Sequence, residues 1–128
     1  MKKLLSISLS LLLLLLVGCT EKEDAIIKVF VRSATNQLVY GAKVIVIGDL
    51  QSNPPTEAYV DTTYTNSSGF TTFIMEDYFD KAKDSDNADV SETTGYFDIL
   101  VKSNNKEASG YTRCRVHTTS VETIYLPN

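Results

Sequence analysis

The chain has no tryptophan, one histidine, two cysteines and three prolines in 128 residues. Each scarcity excludes something. A lone His117, followed by Thr118-Thr119-Ser120, has no second ligand at metal spacing and cannot build a zinc site. Two cysteines, Cys19 and Cys114, are too few for a disulfide framework, so stability has to come from packing. Basic residues are outnumbered, 12 against 16 acidic, for a net charge of −4, and the only basic pair is Lys2-Lys3. A chain of this balance is not a nucleic-acid binder. No apolar run reaches the roughly 20 residues that a membrane-spanning helix needs.

The longest apolar run, Leu4 to Val17, is interrupted by Ser6, Ser8 and Ser10 and follows Met1-Lys2-Lys3. A positive start, an apolar stretch and a small residue before a cut make signal-peptide anatomy. Leu16-Val17-Gly18-Cys19 closes it and resembles the processing box of bacterial lipoproteins, which implies lipidation of Cys19. Two or more acyl chains give stable anchoring where one is marginal. Lys22-Glu23-Asp24 is similar to the Lys-acid-acid export signal of Bacteroidota surface lipoproteins, and its plainer reading is a solvated acidic linker. The expected organisation is a signal peptide at 1–18, a lipidated Cys19 with a tether to residue 24, and one domain at 25–128. The expected place is the bacterial cell envelope, at the outer membrane and exposed on the surface. Cleavage leaves 110 residues with ten basic against sixteen acidic, a net charge of −6. That length suffices for one core. Electrostatics would not hold so acidic a domain to an anionic membrane, so the lipid must.

From Ala25 the pattern becomes period-two, rich in β-branched and aromatic residues, with punctuation every 8–15 residues, which predicts an all-β sandwich. The expected strands are Ile26–Arg32, Ala42–Ile47, Glu57–Thr65, Phe70–Met75, Tyr96–Lys102, Tyr111–His117 and Val121–Leu126. Alternation puts Ile27, Val29 and Val31 on one face of the first, with Lys28, Phe30 and Arg32 on the other. In the second, Ala42, Val44 and Val46 oppose Lys43, Ile45 and Ile47. Ala58, Val60, Thr62 and Tyr64 share a side of the third, while Thr71, Phe73 and Met75 of the fourth point inward. Asn66-Ser67-Ser68-Gly69 is a turn in which Gly69 can take a positive φ. Pro54-Pro55 keeps the preceding loop out of any central strand. The stretch 76–94 breaks the alternation and predicts a short helix or loop insertion.

Two motifs carry a resemblance. Gly41-Ala42-Lys43-Val44-Ile45-Val46, and then Thr65-Asn66-Ser67-Ser68-Gly69-Phe70-Thr71-Thr72-Phe73, resemble the carboxypeptidase regulatory-like domain. Gly95-Tyr96-Phe97-Asp98-Ile99-Leu100-Val101 and Ile124-Tyr125-Leu126 sit where that family has its last strands. The resemblance runs from Ile26 to Leu126 and implies a seven-stranded Greek-key β-sandwich, transthyretin-like or immunoglobulin-like. The chain departs from the family at 76–94, which is longer than the usual connection. In zinc carboxypeptidases the domain is a non-catalytic appendage. Transthyretin-like hydrolases share the fold, but they use several histidines and end in Tyr-Arg-Gly-Ser, whereas this chain ends Tyr125-Leu126-Pro127-Asn128. Related sandwiches form Lys–Asn crosslinks; here Lys28 should face outward and the last strand holds neither Asn nor Asp.

The candidate sites are few. Asp84-Ser85-Asp86-Asn87-Ala88-Asp89 alternates oxygen donors but lacks the glycine and glutamate of a calcium loop, so a solvated loop is expected. Cys114 lies between Arg113 and Arg115, yet strand geometry puts the arginines on the opposite face and makes Cys114 an inert core thiol. Arg113, Arg115 and His117 share a face at i, i+2 and i+4 and, with Lys102, would form a cationic stripe, unless they pair with Asp98 or Glu122. Phe30, Ile45 and Ile47 point outward; either Tyr78-Phe79 and the short helix cover them, or they form a partner surface. Covering is the expected outcome. No catalytic group, metal or cofactor is implied. The sequence therefore reads as a lipid-anchored, non-enzymatic binding or scaffolding module. The partner would be an envelope protein first and a glycan second. Alternatives are a self-associating assembly subunit and a small transthyretin-like hydrolase.

Overall fold

The computed structural model describes residues 22–128. The signal peptide, the processing box and Cys19 lie outside the described residues. Seven strands and one helix are found among those described: β1 (Ile26–Arg32), β2 (Lys43–Gly48), β3 (Val60–Tyr64), β4 (Phe70–Ile74), α1 (Glu76–Lys83), β5 (Thr94–Ser103), β6 (Lys106–Arg115) and β7 (Thr119–Tyr125). They form two packed sheets, ordered β4-β1-β7 and β3-β2-β5-β6. The chain crosses between sheets at β1–β2, β3–β4, β4–β5 and β6–β7, leaving β2–β3 and β5–β6 as pairs within a sheet. This is the β-sandwich that the alternation predicts.

The alternation also identifies the core. Ile27, Val29, Val31, Val44, Val46, Phe97, Ile99 and Val101 are fully buried between the sheets, with Phe73, Met75 and Cys114 beside them. Burying a side chain of this size is worth about 1.5–3 kcal/mol. Gly69 takes φ +74°, as its turn requires, and Gly41 takes φ +71° with open space around it, so its glycine serves backbone conformation. Each open seam of the sandwich is laced by a hydroxyl. Thr63 and Thr71 are bonded through their Oγ1 atoms at 2.7 Å across β3 and β4, and Ser120 Oγ donates to the Arg113 carbonyl at 2.6 Å across β6 and β7.

Several strand limits differ from expectation, most of all in β6, β7 and β3. β6 starts at Lys106, because a tight turn at Asn104-Asn105 lets pairing with β5 begin at Ser103–Lys106. It ends at Arg115, and His117 sits in the β6–β7 turn at φ +60°. β7 starts at Thr119, where its parallel pairing with β1 begins at Ile26. β3 is shorter than expected, since its ladder with β2 runs only from Val60 to Tyr64.

The insertion is ordered as a helix and a loop. Glu76 and Asp77 occupy the first turn of α1 and Lys81 and Lys83 the last, charges that suit the helix dipole. The Glu76 carboxylate accepts the Ala25 N–H at 2.9 Å, tying the helix start to the entry of β1. Tyr78 and Phe79 turn into the end of the sandwich and are buried. Tyr78 meets Phe97 at 4.9 Å, Phe79 at 5.0 Å and Tyr59 at 5.6 Å between centroids, all edge to face. Gly95 makes this possible, because a Cβ there would stand 2.8 Å from both the Tyr78 and Phe97 rings. Lys81 Nζ donates to the Ala58 carbonyl at 2.7 Å, and the Glu57 N–H donates to the Tyr78 hydroxyl at 3.1 Å.

Candidate functional site

The position of α1 overturns the expected cover. Tyr78 and Phe79 close the inner core, so neither they nor the helix shields Phe30, Ile45 or Ile47. Those three do not form one patch either. Phe30 is on β1, in the outer face of the three-stranded sheet, and Ile45 and Ile47 are on β2, in the outer face of the other sheet. All three are half-buried by neighbouring strands.

On the three-stranded sheet, Phe30 lies opposite Phe70 of β4, with ring centroids 5.4 Å apart. Lys28, pointing outward as expected, places its ammonium 4.2 Å from the Phe70 centroid and 5.0 Å from that of Phe30. The cation therefore caps much of what the two rings would expose. Ile74, Val121 and Tyr125 remain exposed around them.

The four-stranded sheet has the wider outer face, four strands against three. Its register sets Tyr64, Lys43, Lys102 and Glu107 in one row, Thr62, Ile45, Leu100 and Ser109 in the next, and Val60, Ile47, Asp98 and Tyr111 in a third. Val60 is 67% exposed and Tyr64 62%. Ile45, Ile47, Val60 and Leu100, with Tyr64, thus make a continuous apolar strip, and Lys43, Lys102 and Asp98 border it.

Arg113 and Arg115 are exposed at the end of this face, directly opposite Tyr96 and Thr94. Neither pairs with Asp98 or Glu122. Among the described residues the ion pairs are Lys83–Asp80 at 3.8 Å and Lys102–Glu107 at 3.5 Å. Lys102 cannot extend a stripe from Arg113, because it pairs six β6 residues away, about 20 Å along the strand. His117 leaves the arginine face altogether. Its Nδ1 lies 3.0 Å from the Glu23 carbonyl, so it contacts the tether.

Sequence reasoning missed the aromatic pair beside Arg113. Tyr96 and Tyr111 sit on adjacent strands with near-parallel rings, 22° apart, and centroids separated by 6.2 Å. Tyr111 donates its hydroxyl proton to Asp49 Oδ2 at 2.7 Å. Asp49 is held in turn: its N–H donates to the Tyr96 carbonyl at 2.9 Å, and its Oδ1 accepts from the Gln51 N–H at 3.0 Å. Desolvation, together with the hydrogen bond and charge of Asp49, pushes the Tyr111 phenol up to about 12. The signal available in the sequence was outward placement of both tyrosines; their proximity depends on register.

Cys114 is fully buried, as expected of a core thiol, and burial, aided by the charge of Glu76, pushes it up to about 12. Asp84, Asp86 and Asp89 are exposed in a loop closed by its own bonds, such as the Asp89 N–H to Asn87 Oδ1 at 3.0 Å. Among the described residues no three His, Cys, Asp or Glu side chains gather as metal ligands would. No enclosed pocket is found among them, and no helix among them is long and apolar enough to cross a membrane.

No protein-family model matches this chain, and no curated protein matches it. The chain is a β-rich two-sheet domain of ~107 residues.

Proposed function

We propose that this chain is a lipid-anchored, non-enzymatic binding module of the bacterial cell envelope, of the carboxypeptidase regulatory-like type, held at the outer membrane and facing outward. It binds an envelope protein through the outer face of its four-stranded sheet. The observation that carries this reading is the uncovered strip of Ile45, Ile47, Val60, Leu100 and Tyr64. Contiguous apolar surface rimmed by polar residues usually marks a partner site.

The tether adds support. Glu23 contacts His117, the Ala25 N–H bonds Glu76, and the Ile26 N–H donates to the Thr118 carbonyl at 2.9 Å. The first residues of the domain are thus pinned to one end of the sandwich. Lys22 is three Cα steps from Cys19, a reach of about 11 Å at most. A lipid on Cys19 would hold that end against the membrane. The strip runs along the strands away from it.

Crosslinking on intact cells followed by mass spectrometry tests the reading. A specific envelope protein crosslinked to the chain supports it, and self-crosslinks alone would favour the assembly subunit. Cys19→Ser should release the chain from the membrane fraction; a variant that stays there would sink the lipid anchor without touching the binding surface.

A further inference from the structure

We infer that Tyr96, Tyr111, Asp49, Asp98 and Arg113 form a ledge that binds a neutral glycan. This goes beyond the protein-binding strip and does not depend on the lipid anchor.

Three features of the ledge select the ligand. The first is apolar. Two tyrosine rings stack with near-parallel planes on the outer face, and Tyr111 is 47% exposed. Such rings offer apolar area at little conformational cost, and their hydroxyls keep the rim wet. Sugar rings, with one face of C–H groups, match that surface.

The second feature is charge of both signs without internal neutralisation. Asp98 stands directly opposite Tyr111, and Arg113 directly opposite Tyr96. Both are exposed, and among the described residues neither forms an ion pair. A polyanion would meet Asp49 and Asp98, a polycation would meet Arg113, and a purely apolar ligand would leave all three unmatched. A neutral polyol suits the set, since its hydroxyls donate to carboxylates and accept from a guanidinium. Hydrogen bonds to ionised groups are also the stronger kind.

The third feature is preorganisation. The Tyr111 proton is committed to Asp49, and Asp49 is fixed by the backbone of Tyr96 and Gln51. The phenol keeps that proton at any physiological pH. Its oxygen is thus held in one place as an acceptor, and the ring loses little freedom when a ligand arrives.

The test uses the full chain in a detergent without a sugar headgroup. The probes are neutral hexasaccharides of β-1,4-glucose, α-1,4-glucose and α-1,6-mannose, with polygalacturonate, chitosan and a polyglutamate peptide as charge controls. Titration calorimetry should show saturable binding of at least one neutral hexasaccharide. Tyr96→Ala and Tyr111→Ala should each weaken it at least tenfold while the melting temperature stays within a few degrees of the parent's. Tyr111→Phe, which keeps the ring but loses the anchor, should weaken it two- to fivefold, and Val121→Thr on the opposite sheet should leave it unaltered. The proposal fails if no neutral probe binds, if only a charged control binds, or if the tyrosine variants bind like the parent. It also fails if Tyr111→Ala removes a protein crosslink on cells while no glycan binds.

Discussion

Two tyrosine clusters in this domain have opposite fates. Tyr78 meets Phe79 and Phe97 edge to face inside the core at the end of the sandwich, and half-buried Tyr59 packs edge to face on Tyr78 and Phe97. Tyr96 and Tyr111 lie near-parallel on the outside of the four-stranded sheet. The residue type is the same in both. The hydroxyl partner and the surroundings differ. Tyr78 accepts a backbone N–H and is carried into the core by its helix, whereas Tyr111 donates to a fixed carboxylate and leaves about half its surface in water. The inner cluster should therefore govern stability and the outer one recognition.

The sharpest way to break this contrast is truncation on both sides. Phe97→Ala should cost about 3–5 kcal/mol in denaturant unfolding, because the cavity cannot refill. Tyr111→Ala should cost under about 0.5 kcal/mol, as surface changes usually do. Equal losses would merge the two clusters into one structural unit. Gly95→Ala comes next. Its Cβ would press on the Tyr78 and Phe97 rings, and the overpacking should cost about 1–3 kcal/mol in the same measurement. Tyr78→Phe should cost about 1 kcal/mol by stranding the Glu57 N–H.

A pH titration sharpens the comparison from the inner side. The Cys114 thiol is raised from 9.0 to about 12 in the fold. Between those values the unfolded chain has lost a proton that the native chain keeps, so stability should fall as pH rises from about 9. Burial raises Tyr78 in the same direction. Cys114→Val should flatten that fall in thermal melts between pH 9 and 11. A slope unchanged by the substitution would assign the alkaline loss to the tyrosines. Lys28→Ala should also have a small effect, about 0.5 kcal/mol from the cation over Phe30 and Phe70.

Much of the fold was legible in the residues. Alternation placed Ile27, Val29, Val31, Val44 and Val46 in the core, and Gly69 was readable as a positive-φ turn residue. What alternation cannot supply is register between distant strands. β1 pairs in parallel with β7, nearly a hundred residues away, and nothing local announces it. For that reason Phe30 and the Ile45–Ile47 pair looked like one outward set, although a sandwich separates them. His117 looked like the third member of a strand face, but parallel pairing starts at Thr119 and forces the chain to turn just before it. Tyr78-Phe79 was readable as an apolar pair on a short helix, yet its docking depended on Gly95 leaving room between two rings. The candidate site was the least legible part. Of its residues, only Arg113, Ile45 and Ile47 stood out in the sequence; Tyr96, Tyr111 and Asp49 became neighbours through the β5–β6 register and the β2–β3 loop.

The most direct test of the binding reading is position-specific photo-crosslinking on intact cells. A photoreactive residue at Val60, in the apolar strip, should capture a distinct envelope protein. The same residue at Val121, also exposed but on the opposite sheet, should capture none. Capture from Val121 alone, or no adduct from Val60 beyond a second copy of this chain, would contradict the four-stranded face as the partner surface.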